Sequence, residues 1–120
     1  MKNVRVKRIY EPYSAEDGYR ILVDRLWPRG IKKQDAHIDK WMKDIGPSTA
    51  LRKAFNHKPE KWNVFIPAYK DELKNSPVLK DLLSDINKHS VVTLLYGARD
   101  TVHNHALVLQ EFIAHYISQT

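Results

Sequence analysis

Two short segments of the chain hold most of the side chains that could do chemistry. The first supplies Asp24, Arg25, Trp27 and Arg29. An arginine guanidinium forms paired, planar hydrogen bonds with a carboxylate or a phosphate, and an indole can stack on a flat ring or cover a core. This segment therefore predicts an anion-binding site. The alternative is a structural network in which Asp24 and Asp100 pair with Arg25, Arg29 or Arg99.

The second segment contains Asp100, His103, Asn104 and His105. A histidine oriented by a carboxylate can transfer protons near neutral pH, so we predict Asp100, His103 and His105 as catalytic residues. Asn104 is predicted to bind the ligand. Zinc and iron use the same ligand types, but two histidines at positions i and i+2 diverge on a helix, so the sequence predicts no metal and identifies no cofactor. The alternative is that these residues cap the following helix, with Asp100 or Thr101 as the cap, and hydrogen-bond the loop.

A third group comes from the start of a predicted helix. Gly46 and Pro47 end the preceding segment, Ser48 can cap the helix by accepting a hydrogen bond from a free amide, and Arg52 follows one turn later. Helix N-termini offer unpaired amides and the positive end of the helix dipole to an anion. Ser48 and Arg52 are therefore predicted to join the ligand-binding residues.

The strands that must position these groups are short. Residues 19–23 are apolar and β-prone, as expected for a strand covered on both faces, and residues 91–96 show the strongest strand pattern. Valines alternating with charged residues in 4–9 predict a half-buried strand near a sheet edge. In open α/β sheets, ligands bind beyond the carboxyl ends of the strands. If the two central strands are parallel neighbours, their exits bring the first two segments to one rim.

Apolar residues at helical spacing predict four helices, one after Ser48 and the others along 62–73, 79–86 and 109–117. Pro67 lies inside the second of these patterns. It lacks the amide that would bond to the carbonyl of Asn63, so we expect a kink or a break there.

Residues 38–45 fit helical periodicity, but a short strand remains open because a Gly-Pro pair follows closely. Strands that alternate with helices predict a small layered α/β domain. We expect a mostly parallel sheet of about three to four strands flanked by helices, in one domain over residues 1–120.

Composition narrows the classes of function. The chain has 120 residues, a net charge of +6 and no cysteine, which excludes disulfides and thiol nucleophiles. No Walker loop, Gly-x-Gly-x-x-Gly fingerprint or Gly-x-Ser-x-Gly elbow is present, which disfavours nucleotide-cofactor enzymes and serine hydrolases. The N-terminus has no apolar export segment, so a cytoplasmic protein without membrane association is expected. A basic chain favours anionic partners, including nucleic acid.

Several motifs together resemble one known family. They are Asp-Gly-Tyr-Arg at 17–20, Val-Asp-Arg-Leu-Trp-Pro-Arg-Gly at 23–30, Pro-Ser-Thr-Ala-Leu-Arg at 47–52, Leu-Leu-Tyr-Gly-Ala-Arg-Asp at 94–100 and His-Asn-His-Ala at 103–106. This pattern is similar to the domain-of-unknown-function family 488, in its YeaO-like branch. The resemblance implies a fold but no reaction, and it favours a strand within 38–45. Other branches tend to carry a cysteine near the end of the last strand, where this chain has Tyr96, so their thiol chemistry is not carried over.

The leading hypothesis is an anion-binding cleft, in a protein that could be a small enzyme acting on a phosphorylated or carboxylated substrate. Arg25 and Arg29 would clamp the anion, and replacing either by methionine is expected to abolish binding without loss of stability. A nucleic-acid-binding module is the alternative. A homodimer is a further hypothesis, with Trp41, Met42 and Trp62 as its candidate surface.

Overall fold

The computed structural model describes residues 3–118 and shows an α/β fold with four parallel strands in one sheet. The expected domain, 1–120, extends two residues beyond this range at each end. The strands are β1 (Asn3–Arg8), β2 (Tyr19–Leu22), β3 (Lys40–Trp41) and β4 (Val91–Tyr96). The prediction of a mostly parallel sheet of this size is confirmed.

The last strand in the chain lies in the middle of the sheet. The spatial order is β1-β4-β2-β3, and all three pairs are parallel. Val92 is opposite both Val4 of β1 and Tyr19 of β2. The strands β2 and β4, whose ends carry candidate residues, are therefore direct neighbours. This is the condition for a shared site at one edge of the sheet.

Five α-helices accompany the sheet in the described range. They are α1 (Lys33–Ala36), α2 (Thr49–Phe55), α3 (Trp62–Lys74), α4 (Leu79–Lys88) and α5 (His105–Ser118). Short 3-10 turns lie at Ala15–Asp17, Lys43–Ile45 and Pro59–Lys61. None of the helices described is long and apolar enough to cross a membrane.

The two faces of the sheet are covered unequally. Ile21 and Leu94 belong to a large buried cluster that includes apolar residues of α2, α3, α4 and α5. Leu22 and Leu95 point to the other face and belong to a smaller cluster with Ile9 and residues around α1. The alternation of side chains along β2 and β4 produces this division, because successive residues of a strand face opposite sides. Both strands are therefore buried on both faces.

The structure decides between the two interpretations of residues 38–45. Lys40–Trp41 forms the short strand β3, and a 3-10 turn at Lys43–Ile45 follows. The helical periodicity was misleading here because Met42 and Ile45 are buried against the large cluster from a turn. The strand favoured by the family resemblance is the correct interpretation.

Pro67 does not break its helix. The assigned helix α3 runs through it from Trp62 to Lys74. Pro67 itself is exposed, and the cost of an interior proline, about 3 kcal/mol from the lost hydrogen bond and the ring clash together, is outweighed by burial of the opposite face through Phe65 and Tyr69. The predicted break was therefore wrong, and the alternative, a kink, stays a prediction.

The three residues of the predicted dimer surface pack against two different clusters, and the homodimer itself stays a prediction. Met42 is buried in the large cluster, Trp62 packs against that same cluster, and Trp41 packs against the smaller one on the other face of the sheet. These three residues therefore do not share one exposed surface.

Candidate active site

A cavity of about 390 Å³ opens at the carboxyl ends of the strands. Tyr10 follows β1, residues 26–29 follow β2, Pro47 lies beyond β3, and Gly97 and Ala98 follow β4. Parts of α2 and the start of α5 complete the wall. Open parallel sheets bind ligands at this location, and the volume falls within the range of small-molecule sites.

Seven of the ten residues predicted from the sequence line this cavity: Asp24, Trp27, Arg29, Arg52, His103, Asn104 and His105. The other three, Arg25, Ser48 and Asp100, are not part of its wall. The structure therefore brings residues of all three sequence segments to one cavity. The first segment contributes three of its four predicted residues, the second three of four, and the third one of two.

Three cationic side chains line the cavity without a counter-ion. Arg29 and Lys53 are exposed and Arg52 is half-buried. No carboxylate of residues 3–118 lies within ion-pair distance of any of them. Cations gathered without carboxylate partners produce a local positive potential, which attracts a small anion.

Asp24 connects three elements at the cavity wall. Its Oδ2 accepts a hydrogen bond of 2.9 Å from the amide of Gly97, directly after β4. A Cβ at position 97 would lie 3.0 Å from the same oxygen, so glycine allows this close approach. Oδ1 is buried and makes no well-aligned hydrogen bond in the described part of the chain, although Nε2 of His105 lies 3.2 Å from it. Asp24 therefore joins the ends of β2 and β4, and its negative charge disfavours an anion placed directly beside it.

His105 holds a defined tautomer at the start of α5. Its Nε2 lies 3.0 Å from the carbonyl oxygen of Val23 and 3.2 Å from Oδ1 of Asp24. Both neighbours are acceptors, so the proton of the neutral imidazole is on Nε2 and Nδ1 carries the lone pair. The imidazole also meets the ring of Tyr69 edge-on, with 6.0 Å between the ring centroids.

Asp100 orients His103 from outside the cavity. Its Oδ2 lies 2.9 Å from Nδ1 of His103, and its Oδ1 accepts from the amides of Val102 and His103. The hydrogen bonds from the His103 amide, the Val102 amide and the His103 ring hold the pKa of Asp100 below its ordinary value. Asp100 is therefore charged at neutral pH, and it keeps the proton of neutral His103 on Nδ1.

Arg25 points away from the cavity, although it leaves the same strand end as Arg29. Its Nε donates to the Pro47 carbonyl at 2.9 Å and its Nη2 to the Gly46 carbonyl at 3.0 Å. Asp44 lies 3.7 Å from its Nη1. Arg25 is thus engaged by two backbone carbonyls and by Asp44, and not by Asp24 or Asp100 as the structural alternative supposed. This geometry argues against the anion clamp predicted for Arg25, which stays a prediction until binding is measured.

We therefore expect Arg25→Gln to destabilise the protein without abolishing anion binding. Hydrogen bonds from a charged donor contribute about 1.5–3 kcal/mol, and the Gly46 and Pro47 carbonyls would lose their partner, so the free energy of unfolding should fall by about 2 kcal/mol. Urea unfolding and anion titration of the same variant measure both effects. A variant as stable as wild type that no longer binds an anion would restore Arg25 as a ligand.

Ser48 and Asn104 act as helix caps. The Ser48 hydroxyl accepts from the Leu51 amide at 3.1 Å and donates to a carboxylate oxygen of Glu72, while the Ser48 amide donates to the other oxygen at 2.8 Å. Asn104 is buried; its Oδ1 accepts from the Leu107 amide and its Nδ2 donates to the Asp100 carbonyl. Ser48 caps α2 as predicted, and its hydroxyl is fully engaged in doing so.

Part of the cavity wall was not predicted from the sequence. The additional residues include Tyr10, Lys53, Phe55, Asn56, His57 and Phe65. Asn56 and His57 both have positive φ, at 48° and 53°, a conformation that is uncommon for residues other than glycine and that concentrates at functional sites. The pattern around Lys53 and Phe55 predicted a helix, but nothing in it showed that the end of that helix faces the strand exits.

The described residues contain no group of three histidine, aspartate or glutamate side chains that could share a metal ion. His103 and His105 each direct one ring nitrogen to an aspartate or a backbone carbonyl. The functional groups that line the cavity therefore include cationic side chains, aromatic rings and two hydrogen-bonded histidines.

Comparison with known proteins places the chain in a family. Residues 3–120 match the family described as the inactive DUF488-N3 subclade. The uncharacterized protein YeaO of Escherichia coli is 50% identical over 111 residues, covering 92% of this chain and 96% of the relative. The uncharacterized protein Rv3073c of Mycobacterium tuberculosis is 41% identical over 110 residues, 92% of each chain. No solved structure gives a significant match. The chain belongs to the inactive N3 subclade of domain-of-unknown-function family 488.

Proposed function

We propose that this protein binds a small phosphorylated or carboxylated molecule in the cavity at the carboxyl ends of its strands. The observation that carries the proposal is the group of three cations, Arg29, Arg52 and Lys53, that line one cavity with no ion-pair partner among residues 3–118. Arginine presents a planar pair of donors to an oxyanion and lysine adds a point charge. The anion is expected on this cationic side, away from Asp24.

The end of α2 has a defined backbone conformation beside the cavity. Asn56 ends α2 in the left-handed region, which is common for a helix cap, and its amide donates to the Arg52 carbonyl at 2.8 Å. His57 is also left-handed, at a cost on the order of 1–3 kcal/mol. His37 adopts the same conformation away from the cavity, so this conformation fixes the end of the helix that carries Arg52 and Lys53 and does not by itself indicate a ligand.

Binding without turnover is the form of the hypothesis that we favour. The family to which the chain belongs is described as inactive, and the chain has no cysteine. Asp100 and His103 form a hydrogen-bonded pair of the kind that can transfer protons. In the proposed function this pair orients the ring of His103 at the cavity wall.

Calorimetric titration with inorganic phosphate and with sulfate tests binding, with sodium chloride at matched ionic strength as the control. Saturable binding of one anion per chain is expected for the oxyanions and not for chloride. A parallel incubation with p-nitrophenyl phosphate tests turnover, and we expect no release of nitrophenol above the buffer rate. The absence of saturable binding of either oxyanion at millimolar concentration would refute the proposal, and enzymatic release of nitrophenol would refute its non-catalytic form.

A nucleic-acid-binding module is the second candidate, favoured by the net charge of +6 and by the exposure of Arg29 and Lys53. Association with nucleic acid is dominated by counterion release, so its affinity falls steeply as salt is added. A single-stranded oligonucleotide that binds far more tightly than phosphate, with such a salt dependence, would favour this candidate. Oligonucleotide binding no tighter than that of phosphate would favour the small-anion site.

A further inference from the structure

The wall of the cavity holds an unusual share of the aromatic residues. Tyr10, Trp27, Phe55 and Phe65 all line it, out of twelve phenylalanine, tyrosine and tryptophan residues in the chain. Further apolar side chains complete this part of the wall, namely Leu26, Pro28, Pro47 and Ala98. A bare oxyanion such as phosphate would use only the cationic part of such a cavity and would leave its apolar part in contact with water.

The aromatic side chains are held in place by their own contacts. The indole of Trp27 donates from Nε1 to the Ile31 carbonyl at 2.7 Å and meets the Trp41 ring edge-on at 5.3 Å. Phe55 and Phe65 lie 4.7 Å apart between ring centroids. The Tyr10 hydroxyl donates to the Arg29 carbonyl at 2.9 Å, so an aromatic ring and a cationic residue of the cavity are directly linked. Phe55 and Phe65 are only 8% and 3% exposed, so the ring surface open to a ligand comes from Tyr10, which is 44% exposed, and from half-buried Trp27. Rings held in place in this way bind a ligand at little entropic cost.

The two histidines of the wall add acceptors when they are neutral. The proton of neutral His103 is on Nδ1, which faces Asp100, and the proton of neutral His105 is on Nε2, which faces Val23 and Asp24. The remaining nitrogen of each neutral ring therefore carries a lone pair. A ligand that reaches a neutral ring is recognised through an N–H or O–H group that it donates.

From these three features we propose that the ligand is an aromatic or heteroaromatic anion. Its phosphate or carboxylate would lie at Arg29, Arg52 and Lys53, and its flat ring would lie against the aromatic wall that contains Trp27. An N–H or O–H group on the ring would donate to a histidine. This inference rests on the proposed function, because it names the kind of molecule that carries the anion.

Three related probes separate the contributions of the anion and the ring. Phenyl phosphate, cyclohexyl phosphate and inorganic phosphate carry the same acidic group, and the first two are similar in size but differ in flatness. We expect phenyl phosphate to bind more than about tenfold more tightly than inorganic phosphate, from burial of its apolar ring. It should bind about threefold to tenfold more tightly than cyclohexyl phosphate, because of the ring–ring contact.

Two variants of the cavity wall test where the ring of phenyl phosphate binds. Tyr10→Leu leaves the core intact, because Tyr10 is 44% exposed, and Trp27→Leu removes the indole; each should reduce the preference for phenyl over inorganic phosphate. Tyr116→Leu, at an aromatic residue of α5 with the same exposure of 44% that does not line the cavity, is the matched control and should leave the preference unchanged. If Trp27→Leu does not fold, Tyr10→Leu alone still provides the test.

The possible outcomes distinguish failure of this inference from failure of the proposed function. Equal binding of all three phosphates would contradict the claim that the ligand is aromatic but would leave the anion site intact. Equal binding of phenyl and cyclohexyl phosphate, both tighter than inorganic phosphate, would show that the cavity accepts any apolar group and does not require a flat ring. A preference for phenyl phosphate that survives both cavity variants would place the ring elsewhere and overturn the inference. Binding of none of the three would refute the anion site itself.

Discussion

Replacing Asp17 by asparagine is expected to lower the free energy of unfolding by about 3–5 kcal/mol, because it leaves a buried charge without its partner. Arg20 is 2% exposed and Asp17 is 6% exposed. Nη1 of Arg20 donates to Oδ2 of Asp17, and Lys7 donates to the same oxygen at 2.9 Å. The backbone carbonyl of Asp17 also accepts from the hydroxyl of Thr93 at 2.6 Å, which attaches this residue to β4. Urea unfolding measures the loss.

The pH dependence of stability provides a second measurement on Asp17. Burial raises the pKa of its carboxyl, but hydrogen bonds from Lys7, the Ser14 amide and Arg20 together outweigh burial and hold the pKa below 3.8. A carboxyl whose folded pKa is lowered contributes stability that is present above its unfolded pKa and is lost as the pH falls through the folded value. Below pH 3.8, wild type should therefore lose stability more steeply than Asp17→Asn.

Asp71→Asn is the matched control for this prediction, because Asp71 is exposed on α3 and its side chain makes no ion pair among the described residues. Its effect on stability should stay within about 0.5 kcal/mol. If Asp17→Asn lowered the free energy of unfolding no more than this control does, the buried ion pair of Asp17 and Arg20 would not stabilise the segment before β2.

The double variant Arg29→Gln, Arg52→Gln is expected to weaken phosphate binding by about 100-fold or more. Each arginine would lose charged hydrogen bonds to the oxyanion, which contribute about 1.5–3 kcal/mol, and 1.4 kcal/mol corresponds to a factor of ten in affinity. Neither side chain has an ion-pair partner in residues 3–118, so stability should change by no more than about 0.5 kcal/mol. Calorimetry and urea unfolding measure the two quantities separately.

Lys74→Gln together with Lys80→Gln removes two positive charges from exposed positions that do not line the cavity, and this pair controls for the change in net charge. It should reduce phosphate affinity only slightly, through the general field of the protein. Loss of binding in the control to the same extent as in the double variant would show that net charge, and not the cavity, attracts the anion.

The sequence predicts the framework of this site well because the determinants are local. The apolar run at 91–96 and the shorter one before Asp24 have few alternatives to buried parallel strands, and parallel strands place their carboxyl ends at one edge. The meeting of Asp24 with Gly97 follows from that geometry. Ser48 likewise caps the helix that follows it, because the cap depends on residues within one turn.

The direction of individual side chains could not be predicted in the same way. Arg25 and Arg29 leave the same strand, yet Arg25 is held by the carbonyls of Gly46 and Pro47 while Arg29 lines the cavity. The difference arises from residues distant in the sequence, whose position depends on the whole chain. The same holds for Lys53, since local periodicity predicts its helix but not the element that the helix end approaches.

The most direct test of the anion site is a phosphate titration followed by nitrogen–proton correlation NMR on the uniformly labelled protein. We expect saturable shifts that concentrate in residues 26–29, 52–57, 97–98 and 103–105 around the cavity, with the indole N–H of Trp27 among them. The double variant Arg29→Gln, Arg52→Gln should show none of these shifts at the same phosphate concentration. Saturable shifts confined to residues outside the cavity, or no saturable shifts up to millimolar phosphate, would contradict the proposal that this cavity binds an anion.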